Sequence, residues 1–198
     1  MYLLLIALLA TAAHGQFLPD ADPDSLNMER VGQIRLRSAP GAEPFLAVTD
    51  LYLADDYAYL GSYDNLVYVV DIADPTDLRE VARINTPGTA LDIKVADGLA
   101  VIGVQDRESD FGLVVVDISD PTAPVELAQL VREGWHGVHN LFLYGNRAYL
   151  AHAGSRGMTI VDLTDPRKPA VSGFWLNSGK FNNVVHDVFA RDGLAFVS

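Results

Sequence analysis

The stretch "WHGVHN" (135–140) places Trp135, His136 and His139 within six positions, in a chain with five histidines. A second stretch, "VVHD" (184–187), adds His186 and Asp187, and His152 ends "GNRAYLAH" (145–152). Imidazole titrates near neutral pH and serves as a metal ligand or a general base. A carboxylate beside it, as Asp187 stands beside His186, orients the ring and makes it more basic. His139, His152 and His186, with Asp187 in support and one position open, would suit zinc or another divalent metal. Trp135 would suit stacking on a sugar or peptide. These chemistries need the three segments to converge, so the elements that carry them decide the matter.

Those elements repeat. "LVYVVDIADP" (66–75), "GLVVVDISDP" (112–121) and "GMTIVDLTDP" (157–166) are versions of one segment, their aspartates Asp71, Asp117 and Asp162 spaced by 46 and 45 residues. A second shared segment precedes each, marked by Ala58, Ala100, Ala148 and, once more, Ala195. Within a unit the pattern predicts four strands. "ALDIKVA" (90–96) turns through Asp97-Gly98 into "LAVIGV" (99–104), a polar loop leads to "LVVVDI" (113–118), and Asp120-Pro121 breaks the chain before "VELAQLV" (125–131). Asp-Gly between apolar runs is a strong hairpin signal, and proline cannot donate into a central ladder. The nearly continuous β-branched runs suit strands buried on both faces. Four antiparallel strands in about 45 residues make the blade of a β-propeller. The fold class expected is therefore all-β.

The decapeptides resemble the LVIVD repeat, found in exported bacterial β-propellers that include the choice-of-anchor B proteins. The resemblance covers roughly residues 28–198. It implies a propeller and leaves the activity open.

The segment "MERVGQIRL" (28–36) is similar to the fourth strands and reads as an outermost strand that completes a last blade. The chain ends inside a strand-like run, "DGLAFVS" (192–198). The expectation is a leading strand, three blades and half of a fourth: a propeller incomplete at its C-terminus, with any surface anchor in the missing part. Residues 1–15, with an apolar run from Tyr2 to Leu9 followed by small residues, read as a signal peptide cleaved after Ala12 or Gly15. Residues 16–27 read as a linker. The apolar run falls well short of the roughly 20 residues of a transmembrane helix.

Blade topology puts first-strand entry loops and second-to-third-strand loops on one face of the disc. His136, His139, His152 and His186 are all expected there, on adjacent blades, among a polar rim of Asp106, Arg107, Glu108, Asp110, Arg156, Lys180, Asn182 and Asn183, with Trp135, Phe111 and Tyr63 nearby. His139 and His186 occupy equivalent positions, where the first two units have Thr49 and Leu91. Three readings remain open: a metal site, a polar ligand site without metal, and histidines that serve the structure.

One position further on stand Asp50, Asp92, Asn140 and Asp187, near the start of each innermost strand. They could hold a hard cation through oxygen, or satisfy backbone groups of the neighbouring blade. Recurrence in every unit favours the second. Asp71, Asp117 and Asp162 also recur in each unit and read as turn formers, since aspartate bonds the backbone two residues on.

With 26 acidic and 14 basic residues the net charge is −12, which excludes a phosphate-backbone partner. No nucleophile elbow, Walker loop or dinucleotide fingerprint is present. The expected function is an exported binding or scaffold module, secreted, periplasmic or at the cell surface, with a protein, peptide or glycan ligand. The alternative is a metal-dependent hydrolase or lyase using His139, His152 and His186 around a divalent metal.

Overall fold

The computed structural model describes residues 6–8, 30–38, 47–105, 110–135, 137–152, 157–176 and 185–198. The linker and most of the leader lie outside these. Among the described residues every regular element is a β-strand.

Three four-stranded antiparallel sheets follow one another along the chain, each ordered as the chain runs. The first holds β3 (Val48–Ala54), β4 (Tyr57–Ser62), β5 (Leu66–Asp71) and β6 (Arg79–Asn85); the second holds β7 (Thr89–Ala96), β8 (Leu99–Gln105), β9 (Leu113–Asp117) and β10 (Val125–Leu130). The third holds β11 (Val138–Tyr144), β12 (Arg147–His152), β13 (Gly157–Asp162) and β14 (Ala170–Leu176), and the hairpin β15 (Val188–Arg191)–β16 (Leu194–Val197) repeats the opening of the others. The innermost strands β3, β7, β11 and β15 pack side by side in that order. The described residues form an open arc of propeller blades.

Alternation within each strand explains the stacking. Val67 and Val69 of the first sheet pack with Ala100, Ile102 and Val114 of the second, while Val101, Leu113 and Val115 of the second pack with Leu141, Leu150 and Val161 of the third. A middle strand therefore has no wet face, and Val67 to Val70 are all at most 1% exposed. The first sheet's other face, with Leu60, Tyr68 and Ile72, is covered by the leading segment through Ile34 and Leu36. Tyr68 donates its hydroxyl to the Arg37 carbonyl at 3.0 Å. In this segment β2 (Gly32–Ile34) pairs in parallel with β1 (Ile6–Leu8).

The turns follow from side-chain chemistry. Asp71, Asp117 and Asp162 accept the backbone N–H two residues on at 3.0, 2.9 and 2.8 Å, and Asp74, Asp120 and Asp165 do the same at 2.9, 3.0 and 3.1 Å. Hydrogen bonds from Thr76 and Ser119 hold the Asp74 and Asp117 carboxyls below the usual range. The first hairpin turns at Asp55, Asp97 and Asp192 have φ of 49°, 51° and 51°, which aspartate tolerates better than most residues.

Each innermost strand carries a β-bulge at the same place. Pairing skips from Val48 to Asp50, from Ala90 to Asp92 and from Val138 to Asn140, leaving Thr49, Leu91 and His139 as the extra residues. The fourth unit repeats it: His186 N–H donates to the Ser198 carbonyl at 2.7 Å and Ser198 N–H to the Asp187 carbonyl at 3.2 Å. Bulges re-aim side chains and bend their strand. Beside them, Asp50, Asp92 and His139 each reach the next unit.

The blades approach closely opposite these bulges. A Cβ at Gly61 would lie 2.6 Å from the Ala90 carbonyl oxygen of the next blade, and one at Gly103 would lie 3.0 Å from a Val138 methyl. The equivalent third-blade residue is Ala151. We expect Gly61→Ala to destabilise the protein by about 1–3 kcal/mol, because the clashing partner is backbone. Urea denaturation measures this, and a variant as stable as wild type would show that the blades can separate without cost.

Candidate functional site

The bulges give the first two inter-blade joints one design. Asp50 accepts the Ile93 N–H at 3.0 Å, and Asp92, one unit later, accepts the Leu141 N–H. Lys94 joins both carboxylates, at 3.2 Å to Asp50 and in closer contact with Asp92, and its ammonium lies 5.8 Å from the centre of the Tyr52 ring. Asp92 is only 2% exposed. Burial, reinforced by Asp50, pushes its pKa up to about 7. Burial also acts on Asp50, but hydrogen bonds from Asp92 and Ile93 and the charge of Lys94 outweigh it and hold this carboxyl below its usual range. Burial likewise opposes the charge on Lys94, and the two aspartates more than compensate. Below pH about 7 Asp92 therefore holds a proton, beside Asp50 and the Lys94 ammonium. Lys94 was not anticipated from the sequence, yet it was visible as the one positive charge inside "ALDIKVA", two residues from Asp92 and so on the same strand face.

The third joint departs from this design. Asn140 stands where Asp50 and Asp92 stood, and the Val188 N–H is taken by Asp187, its own neighbour, at 2.7 Å. One residue earlier the bulge positions meet instead. His139 and His186 approach Nε2 to Nε2 at 3.0 Å, with ring centroids 4.6 Å apart and planes tilted by 65°. His139 is half-buried and His186 exposed, so the pair reaches solvent. Desolvation, and then His186, lower the pKa of His139. A neutral pair fits this contact, one Nε2 donating and the other accepting. Phe142 and Phe189 meet across the same joint at 4.8 Å between centroids.

Local structure fixes His139 firmly. Asp110 accepts the Gly134 N–H at 2.9 Å, and the Trp135 N–H donates to the Arg132 carbonyl at 3.2 Å, closing the turn before β11. Gly137 has φ of 102° and lies so close to Gln105 that a Cβ would meet its Cα at 2.6 Å. Only glycine fits both conditions.

Two of the expected site residues are interior. Trp135 is 8% exposed and packs with Leu113, Val115 and Leu150. His152 is 2% exposed, lies 4.6 Å from the Trp135 ring, and bonds Thr159 Oγ1 at 2.8 Å through Nε2. Burial lowers its pKa to about 4, against a smaller opposing pull from the Gly137 backbone, so this imidazole is neutral at physiological pH. Among the described residues, the structure brings together His139 and His186 and places His152 with Trp135 and Thr159. Among the described residues no group of three His, Asp or Glu side chains gathers. His136 and the loops at 106–109, 153–156 and 177–184 lie outside the described residues; Tyr63, at the rim, is 56% exposed.

The Asp92 carboxyl gives stability a pH dependence. An acid whose pKa rises from 3.8 to about 7 on folding holds its proton more tightly in the folded state. Its contribution is fully present below its unfolded pKa and is lost as pH rises through 7. Asp92→Asn imitates the protonated acid. We expect this variant to lie within about 1 kcal/mol of wild type at pH 5 and to gain on it by pH 8 in urea denaturation. A variant that instead loses ground between pH 5 and 8 would show that the ionised Asp92–Lys94 pair is the stabilising form.

Comparison with known proteins agrees with this architecture. The computationally designed proteins Ika8 and Ika4 superpose with TM-scores of 0.56 and 0.57 at 18% identity, over 76% of this chain in each case. The alignments span 42% of the Ika8 chain and 84% of the Ika4 chain, and they speak to the fold alone. No curated protein matches the sequence. The LVIVD repeat model matches residues 47–86, 87–130 and 137–176, ranges that coincide with the three complete blades. The chain belongs to the LVIVD-repeat family.

Proposed function

We propose that this propeller is an exported binding or scaffold module, acting outside the cell or at its surface. Its ligand contacts the rim around His139 and His186. The observation that carries this reading is the pair itself, two imidazoles meeting across the third joint within reach of solvent. At the second joint the equivalent work falls to Asp92, which is buried. A joint that needed only stability would be served by the same buried carboxylate. The imidazole pair instead presents hydrogen-bonding nitrogens to a protein, peptide or glycan.

The apolar run from Tyr2 to Leu9 ahead of small residues supports export, and the absence of cysteine suits a chain that folds outside the cell without disulfides. Among the described residues no helix is long and apolar enough to cross a membrane. A charge of −12 disfavours nucleic acid as the ligand.

Two measurements test this. In cell fractionation, the protein is expected outside the cytoplasm with its N-terminus beginning after Ala12 or Gly15; an intact Met1 in the cytosol would remove the export half. On peptide and glycan arrays, His139→Thr and His186→Thr are each expected to weaken wild-type retention by roughly tenfold, about 1.4 kcal/mol. Threonine is chosen because Thr49 holds the aligned position in the first blade. Retention unchanged by both substitutions would move the binding surface elsewhere.

A further inference from the structure

We propose that His139 and His186 together bind one divalent transition-metal ion of the zinc class through their Nε2 atoms, bridging the third and fourth units. The proposal rests on the reading of this pair as a binding site and names the ligand class.

Distance is the first ground. Zn–N bonds are about 2.1 Å, and two of them subtending the tetrahedral angle place their nitrogens about 3.4 Å apart. The observed separation of 3.0 Å corresponds to an angle of about 90° at such bond lengths, so a shift of a few tenths of an ångström seats the ion. The nitrogens already point at each other. The ion sits off the line between the nitrogens, so binding tilts each ring by about 35° and moves the donor ring's proton from Nε2 to Nδ1.

The repeat supplies the second ground. The fold does not demand histidine at the bulge position, since the other units carry Thr49 and Leu91 there. Histidine stands at this place in two consecutive units, so that each supplies half of one ligand pair.

The third ground is the state of the joint. The first two joints are closed by a carboxylate on the next blade's backbone, with Lys94 between them. At the third joint Asn140 replaces that carboxylate and Asp187 bonds within its own unit. A cation held by two imidazoles would close this joint across the same gap. Imidazole selects zinc, copper or nickel over calcium or magnesium, whose preferred ligands are oxygens. With two protein nitrogens in the described residues, the other positions belong to water or to a donor group of the ligand, as in metal sites that keep positions open.

The test is calorimetric titration of Zn²⁺ into the chelator-treated full chain, for wild type, His139→Thr and His186→Thr. One Zn²⁺ per chain is expected for wild type, with roughly tenfold or greater weakening in either variant. The Co²⁺ form of the wild type is expected to show paramagnetically shifted imidazole protons from both rings, a readout that does not depend on the variants folding. No Zn²⁺ binding, or binding at full strength in both variants without shifted imidazole protons, overturns the metal. Should Zn²⁺ fail while the same variants still lose array retention, the metal falls and the binding surface stands. Should Zn²⁺ bind while array retention is untouched, the metal stands and the wider binding reading falls.

Discussion

A four-stranded blade of this sequence cannot shelter either of its own faces. Val67, Val69 and Tyr59 point to one side of the first sheet and Ala58, Leu60 and Tyr68 to the other, and all are at most 1% exposed. Each sheet is therefore stable only between two covers, since apolar area gains free energy by leaving water whichever neighbour removes it. Everything else is arranged around that stacking. The hairpin and Asx turns keep strands in register so that the faces stay apolar, and the small residues Gly61 and Gly103 let one blade close on the next. The leading segment serves the same end, with Leu36 on the first sheet's outward face.

Apolar stacking has no direction of its own, and two faces rich in valine could slide. Position is set by the polar joints at the inner edge. The recurring bulge at Thr49 or Leu91 shifts the register just before residue 50 or 92, whose carboxylate accepts a particular N–H of the next blade. A buried carboxylate is expensive to dehydrate, and an unpartnered one is worse. The cluster answers this by raising the pKa of Asp92 and placing Lys94 against both carboxylates. Specific register thus comes from groups that add little net stability and would be costly in any other arrangement.

The blades, their boundaries and the aspartate turns were legible because each depends on residues close in sequence and recurs in every unit. The backbone role of Asp50 and Asp92 was legible for the same reason. His139 and His186 were also rightly paired, because equivalent residues of adjacent repeats are neighbours in space. What local pattern did not give was side-chain direction at the strand ends. His152 sits at the last position of β12, where a residue points either to the loop or to the interior, and the aligned Val104 of the second blade, fully buried, carried the hint of the interior. Trp135 was read as a rim residue because it lies in a connecting segment, but an indole this close to a sheet end finds more apolar area below than outside. Lys94 escaped notice because a lysine in a strand is ordinarily solvated, and only the bulge, invisible in sequence, brings two carboxylates to it.

Repetition also changes how a departure from pattern is to be weighed. A residue present in every blade is explained by what every blade needs, and the turn aspartates Asp71, Asp117 and Asp162 fall under that rule. A residue in two adjacent blades is different, because the stacking can be built without it, as Thr49 and Leu91 demonstrate. The third joint gives up a backbone-directed carboxylate at Asn140 and gains two facing imidazoles one position away, near enough to solvent to exchange partners. A joint made from a buried acid and a backbone amide has one partner and one geometry. In a joint made from two facing imidazoles one Nε2 donates to the lone pair of the other, and a third group can take either place. The physics that makes the first two joints good structure, burial and unique pairing, is relaxed at the third, and binding capacity follows from that relaxation.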